Sequence, residues 1–298
     1  MILRERFETT DFSSNEQIIV DYILDKKMAI KDMTTKDIAQ ATYTSPSSLI
    51  RIAHKMHFAG WNELKEAYLN EESYLETHFK DIDANIPFKN NDTIMSIASK
   101  IAALEKESIE DTLSLITHDD LQKCVQIIRK SSEIQLFAAS NNLMITKEFR
   151  HNMSRIKKRV NVHSIQSEII FNAYLADEDS CALVVSYSGE TRDLNRCVRA
   201  LKEKRIPVIA ITSIGNNTLS SLADCVLHVT TREKLYSKIA TYTTDTAITY
   251  LLDVIYSCVF ALDYDKNLSL RIDTAKAIES GRSSSSVILQ EEDNTFKY

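Results

Sequence analysis

The residues best suited to do chemistry stand in the run Ser186-Tyr187-Ser188-Gly189-Glu190-Thr191, directly after the apolar stretch Cys181-Ala182-Leu183-Val184-Val185. Three hydroxyls, one flexible glycine and the free N–H groups of a following helix suit the capture of a small anion such as phosphate. The chain holds only four glycines, so Gly189 answers a backbone requirement. The same residues would also make an ordinary strand-to-helix turn capped by Ser188 or Thr191. A second cluster of hydrogen-bonding side chains, Ser140-Asn141-Asn142, follows another strand-like run that ends at Ala139.

These clusters need a frame that brings them together. From Glu133 onward, strand-like runs at Ile134 to Ala139, Val160 to His163, Cys181 to Ser186, Ile206 to Thr212 and Cys225 to Val229 alternate with helical patterns. The helical stretches are about Asn141 to Arg155, Ser164 to Ala176, Thr191 to Lys204 and Ser237 to Ala261. Such alternation predicts an α/β doubly wound, five-stranded parallel sheet. The commonest order is 2-1-3-4-5, with its switch point between the first and third strands, where ligands bind. That places Ser140, Asn141 and Asn142 opposite Ser186, Ser188, Gly189 and Thr191.

The first part of the chain has a different period. Ile18, Ile19, Tyr22 and Ile23 recur at helical spacing, Thr34 or Thr35 caps a second helix with Ile38 and Ala39 inward, and Ser45-Pro46 starts a third. Proline at the first helical position is favourable because that N–H needs no partner. Leu49, Ile52, Ala53 and Met56 form the inward face of the third helix, and Trp61 anchors a fourth. The link Ala41-Thr42-Tyr43-Thr44 has the length of the turn in a helix-turn-helix. The outward face then carries Ser45, Ser47, Ser48, Arg51 and Lys55, short hydroxyls and long cations suited to phosphates and base edges. Residues 1–80 hold ten Lys/Arg against thirteen Asp/Glu, so two copies would be needed for useful affinity.

Composition excludes several classes. The net charge is −6, which argues against diffuse polyanion binding. Five widely spaced cysteines without a Cys-x-x-Cys pair argue against structural zinc and a disulfide framework. No apolar run reaches a membrane span, and Met1 to Arg6 lack an apolar signal core; the expectation is a cytoplasmic chain without cofactor or membrane partner.

Thr34 to Lys65, with Lys36-Asp37-Ile38-Ala39, Thr44-Ser45-Pro46-Ser47-Ser48, Arg51-Ile52-Ala53-His54-Lys55-Met56 and Phe58-Ala59-Gly60-Trp61-Asn62-Glu63-Leu64-Lys65, resembles the DNA-binding domain of RpiR-family (MurR/RpiR) bacterial regulators. Residues from about Asp119 to Leu262 resemble the SIS (sugar isomerase) domain that follows it in that family, with Ser186, Ser188, Gly189 and Thr191 meeting the pattern Ser-x-Ser-Gly-x-Thr. The resemblance implies an all-α helix-turn-helix domain at 1–75, a linker at 76–91, a SIS domain at 92–265 and a tail at 266–298. It implies a homodimeric or tetrameric transcriptional regulator of sugar or amino-sugar metabolism, not an enzyme, that binds operator DNA and a phosphosugar. Ser186, Ser188 and Thr191 would hold the phosphate, with Gly189 beside them. One departure stands out: the family's first strand ends Gly-x-Gly-x-Ser, whereas this chain reads Ala138-Ala139-Ser140-Asn141-Asn142, with an amide donor at Asn142 in place of a hydroxyl.

Two alternatives remain open. A SIS-domain sugar-phosphate isomerase would need a general base, for which Glu190, Glu233, His228 and Lys238 are the candidates. A SIS domain that only dimerises the DNA reader is the other. The helices near 94–116 and 237–261 carry enough apolar residues to pair two copies.

Overall fold

The computed structural model describes residues 3, 6–7, 10–78 and 82–279, together with 281, 284 and 288. Its first unit comprises α1 (Ser14–Lys26), a 3-10 segment (Lys27–Asp32), α2 (Thr35–Ala41), α3 (Pro46–Lys55) and α4 (Trp61–His78). These elements close around Ile19, Val20, Ile23, Ile38, Leu49, Ile52, Met56 and Trp61. The buried stripe of α1 is Glu16, Ile19, Val20 and Ile23, while Ile18 is exposed. Of the recurring apolar positions, Ile19 and Ile23 are buried and Tyr22 packs on the core, while Ile18 is left out; Glu16 turns inward, its carboxylate accepting from Ser13 N and Oγ (both 2.9 Å).

The second unit follows with α5 (Ile94–Leu115), α6 (His118–Lys130), β1 (Glu133–Ala138), α7 (Asn142–Ser154), β2 (Arg159–His163), α8 (Ile169–Leu175) and β3 (Cys181–Val185). It continues with α9 (Arg192–Glu203), β4 (Val208–Ser213), α10 (Thr218–Leu222), β5 (Cys225–Val229), α11 (Tyr242–Ala261) and α12 (Tyr264–Ile278). The strands form one sheet in the order β2-β1-β3-β4-β5, and every pairing is parallel. Side chains alternate across it as a pleat requires. Cys181, Leu183 and Val185 of β3 join a core with Ile128, Phe149, Ile248 and Leu251 from α6, α7 and α11. Ala182 and Val184 face Ile169, Leu194, Val198 and Leu219 from α8, α9 and α10. Both faces of the three central strands are buried, which is why those strands read as continuous apolar runs.

Three helix boundaries differ from expectation. α11 starts at Tyr242 instead of Ser237, because residues 230–241 form an irregular loop held by side-chain hydrogen bonds. The stretch 164–176 is a 3-10 turn (Gln166–Glu168) followed by the short α8. α12 occupies part of the expected tail; only Asn267 of it is buried, so no apolar stripe announces it in the sequence. Of the rest of the expected tail, residues 280–298, all but 281, 284 and 288 lie outside the described residues. Among the described residues no single helix is long and apolar enough to cross a membrane.

Candidate functional site

Ala138 pairs with Val185 across β1 and β3, so the loops leaving those strands emerge side by side at the carboxyl edge. On the β3 loop, the Ser186 and Thr191 hydroxyls lie 3.0 Å apart. Thr191 precedes α9, yet its side chain makes no cap bond to that helix; both hydroxyls line the loop, where the first N–H groups of α9 lack intrahelical acceptors. Ser188 Oγ accepts from Glu190 N at 3.2 Å, so neither serine nor threonine serves as a simple helix cap. Gly189 adopts φ +67°, and a Cβ there would lie 2.0 Å from Asn217 Oδ1. Its carbonyl accepts from Leu219 N and Asn195 Nδ2, both at 3.0 Å. Only glycine satisfies both the left-handed backbone and the close approach.

The β1 loop supplies the facing wall. Ser140 takes φ +52°, a conformation glycine would adopt without strain. Asn141 Nδ2 donates to Asp245 Oδ2 (2.7 Å) and Thr241 Oγ1 (3.2 Å), and Thr241 Oγ1 donates to the same carboxylate oxygen at 2.7 Å. Asn142 is the first residue of α7. The first turn of α11 thus forms a third wall that sequence reasoning missed. Its signal is present in Thr241, Thr243, Thr244 and Asp245, a polar cluster that marks a helix start, but it is hidden when that start is placed five residues early.

Glu233 fixes this wall. Its buried carboxylate accepts from Thr243 N (2.6 Å), Thr244 N (3.3 Å), Thr244 Oγ1 (2.7 Å) and Lys238 Nζ (3.1 Å). Tyr187 of the β3 loop joins in: its hydroxyl donates to Glu233 O (2.9 Å) and accepts from Glu233 N (3.1 Å). The other titratable candidates are also committed to structure. Glu190 caps α10 through Thr218 N (2.8 Å) and Thr218 Oγ1 (2.6 Å), and His228 Nδ1 lies 2.9 Å from Ser213 O.

The chain entering this unit is bound to the same loop. Asn85 Oδ1 accepts from Lys234 N (2.6 Å), Asn85 O accepts from Ile239 N (2.9 Å), and Arg232 Nη2 donates to Ile82 O (3.2 Å). A separate cavity of about 410 Å³, lined by Lys147, Arg150, His151, Ser154, Val162 and Ser164, shares no residue with the hydroxyl loops.

In the first unit, Thr34 and Asp37 cap α2 reciprocally: Thr34 N donates to Asp37 Oδ2 (2.7 Å) and Asp37 N to Thr34 Oγ1 (3.3 Å). The turn to α3 is pinned by Thr44 N to Ala39 O (2.8 Å) and Thr42 Oγ1 to Ile38 O (2.7 Å). Ser45, Ser47, Arg51 and Lys55 are exposed. Ser48 is not: it is buried, and its hydroxyl accepts from Arg51 Nη2 at 2.9 Å. The expectation that Ser48 faces outward is therefore corrected; it sits beside Leu49 on the inner edge and orients the arginine. Lys55 Nζ donates to Glu16 Oε2 (2.7 Å), and Arg51 Nε lies 3.8 Å from Oε1 of the same carboxylate. Burial alone would raise the Glu16 carboxyl, but hydrogen bonds from Lys55 and Ser13 outweigh it and hold the group down at about 2.

Family comparison agrees with both units. The helix-turn-helix domain of the rpiR family matches residues 4–73, and the SIS domain matches residues 127–256. The chain belongs to the RpiR family. Among solved structures, the Vibrio vulnificus NanR protein complexed with ManNAc-6P is similar over 95% of this RpiR-family chain and 100% of its own, at 20% identity and TM-score 0.60. The sugar isomerase domain of an RpiR transcription factor from Sphaerobacter thermophilus covers 60% of this chain and 98% of its own, at 12% identity and TM-score 0.51. A protein of Escherichia coli, solved as a ligand complex, covers 62% of this chain and 100% of its own, at 13% identity and TM-score 0.54.

Proposed function

We propose that this RpiR-family protein is a DNA-binding transcriptional regulator of sugar or amino-sugar metabolism whose SIS domain senses a phosphosugar. The observation that carries the reading is the β3 loop. Ser186 and Thr191 hydroxyls lie 3.0 Å apart before an uncapped α9, around a glycine that no other residue could replace. Ser140, Asn141 and Asn142 form the opposite wall, with Ser186, Ser188, Gly189 and Thr191 holding the phosphate. Ser45, Ser47, Arg51 and Lys55 face operator DNA. The ManNAc-6P bound to the NanR relative supports the class of ligand.

Regulation without turnover is favoured over isomerisation. A general base needs a lone pair free to take a proton from C1 or C2. Glu233 instead accepts four hydrogen bonds, two of them from backbone N–H groups of α11. Glu190 accepts two hydrogen bonds from Thr218 at the start of α10, and His228 Nδ1 donates to Ser213 O, which leaves its Nε2 lone pair as the one open base among these candidates.

Two copies are required for a palindromic operator. The apolar face of α11 is already used within one chain, where it packs on the sheet and against α5. Exposed Phe171, Tyr174 and Leu175 of α8, and Ile94, Met95 and Leu113 of α5, offer apolar surface instead.

The test is a thermal-shift screen against sugar phosphates with Ser188→Ala as control. A concentration-dependent rise of several degrees in wild type, absent from Ser188→Ala, is expected. No shift with any sugar phosphate would reject sensing and leave a dimerising role, and steady conversion of a sugar phosphate by the pure protein would establish the isomerase.

A further inference from the structure

Tyr43 lies in the turn between α2 and α3, in the left-handed region at φ +54°, and is 97% exposed. Among the described residues its ring and hydroxyl have no hydrogen-bond or ring partner. Both observations are unfavourable to the isolated fold. A bulky residue in that region is strained, and a free aromatic surface gains nothing from burial. Among the described residues, the other non-glycine positions with positive φ are Lys27, His57, Ser140, Lys157 and Arg205, all polar and at ease in water. The turn cannot relax the strain away, since Thr44 N to Ala39 O (2.8 Å) and the Thr42–Thr44 hydroxyl pair (2.8 Å) fix the backbone on either side.

The place of this outlier is informative. Tyr43 is two residues before Ser45, and Tyr43, Ser45, Ser47, Ile50 and Arg51 are all exposed, so the ring extends the edge that leads into α3. That edge is poor in free cations. Lys55 is tied to Glu16 at 2.7 Å, Arg51 lies 3.8 Å from the same carboxylate, and residues 1–80 carry more acids than bases. With Arg51 and Lys55 partly engaged by Glu16, a neutral phenol hydroxyl at this edge adds a phosphate donor to the two cations.

We propose that Tyr43 is a DNA-contacting residue whose hydroxyl donates to a backbone phosphate beside α3, and that the strained turn is kept to present it. The inference rests on the DNA-binding reading above. Two consequences set it apart from a merely tolerated residue. Removing the side chain relieves strain while weakening DNA binding, so Tyr43→Gly separates stability from function. A neutral donor releases no counterions of its own, so Tyr43→Phe weakens binding by the same factor at low and high salt.

The experiment uses the full chain and a duplex selected by the wild-type protein from a randomised pool, with Arg51→Ala as control. Trp61, the single tryptophan and buried in the first unit, reports unfolding of that unit by fluorescence. Tyr43→Gly is expected to raise its melting temperature by about 2–5 °C and the Kd for the selected duplex by about tenfold. Tyr43→Phe should raise Kd roughly threefold to tenfold at both about 50 and 200 mM salt, whereas the loss in Arg51→Ala should shrink as salt rises. Kd within twofold of wild type for Tyr43→Gly, while Arg51→Ala loses binding, overturns the Tyr43 assignment and leaves the DNA reading intact. That result would also be the outcome if the ring served a protein partner. Failure of wild type to select any duplex overturns both.

Discussion

At the scale of single residues, Gly189 and Glu16 show how much is fixed by one atom or one proton. Asn217 cannot yield to a Cβ at position 189, because Asn217 Nδ2 donates to Thr212 Oγ1 (3.0 Å) while its Oδ1 accepts from Ser220 N (2.9 Å). Gly189→Ala should therefore cost about 2–4 kcal/mol in urea unfolding of the second unit, from the contact and the left-handed backbone together. A loss below about 0.5 kcal/mol would show that the loop rearranges freely. Glu16 gives a pH prediction. Its folded pKa of about 2 lies below the ordinary value of 4.5, so its stabilisation is present above about pH 4.5 and is lost as pH falls toward 2. Its cationic partners are largely exposed (41% for Lys55, 62% for Arg51), which screens the pair and reduces the contribution to roughly 2 kcal/mol. Glu16→Gln should remove that amount at pH 7 and flatten the acid dependence of Trp61 unfolding between pH 4.5 and 2.

At the scale of elements, legibility follows burial. Central strands buried on both faces carry uninterrupted apolar runs such as Cys181 to Val185, so the alternation with helices and the order β2-β1-β3-β4-β5 follow from pattern alone. α3 is equally clear, with Ser45, Pro46 and a stripe of Leu49, Ile52, Ala53 and Met56. α12 is not, because a helix that meets water almost all round leaves no period in the sequence. The site divides in the same way. Ser186 to Thr191 announce themselves by type and spacing, whereas the third wall depends on contacts 100 or more residues apart, Asn141 to Thr241 and Asp245. Ser48 escapes a sequence reading because a serine on the edge of a helix is as readily turned inward to hold an arginine as outward to meet DNA. The apolar surface of α8, exposed at Phe171, Tyr174 and Leu175, leads to a prediction at this scale. If α8 pairs two copies, Phe171→Glu combined with Leu175→Glu should lower the light-scattering mass at micromolar concentration relative to wild type, and an unchanged mass would rule α8 out as the pairing surface.

At the scale of the whole molecule, the β3 loop and the incoming chain share one set of bonds. Tyr187 ties the β3 loop to Glu233, and residues 232–239 in turn hold Ile82 and Asn85. A ligand that reshapes the β3 loop thereby acts on the segment through which the first unit is attached. Regulation requires different ligand affinity for two arrangements, a coupling of about 1–3 kcal/mol. Asn85→Ala should leave both ligand Kd and operator Kd within about threefold of wild type while reducing the effect of ligand on operator affinity towards none. Undiminished coupling would route the signal elsewhere.

The bridge from Asn141 to Thr241 and Asp245 has a kinetic consequence as well. The Thr243 and Thr244 amides at the start of α11 are held by the Glu233 carboxylate, and the Asn141 bridge ties that turn to the β1 loop, so deuterium uptake across residues 241–245 acts as a clock for openings of that turn. Occupancy of the facing loops then becomes readable as a slower clock, without any label on the ligand and without DNA present.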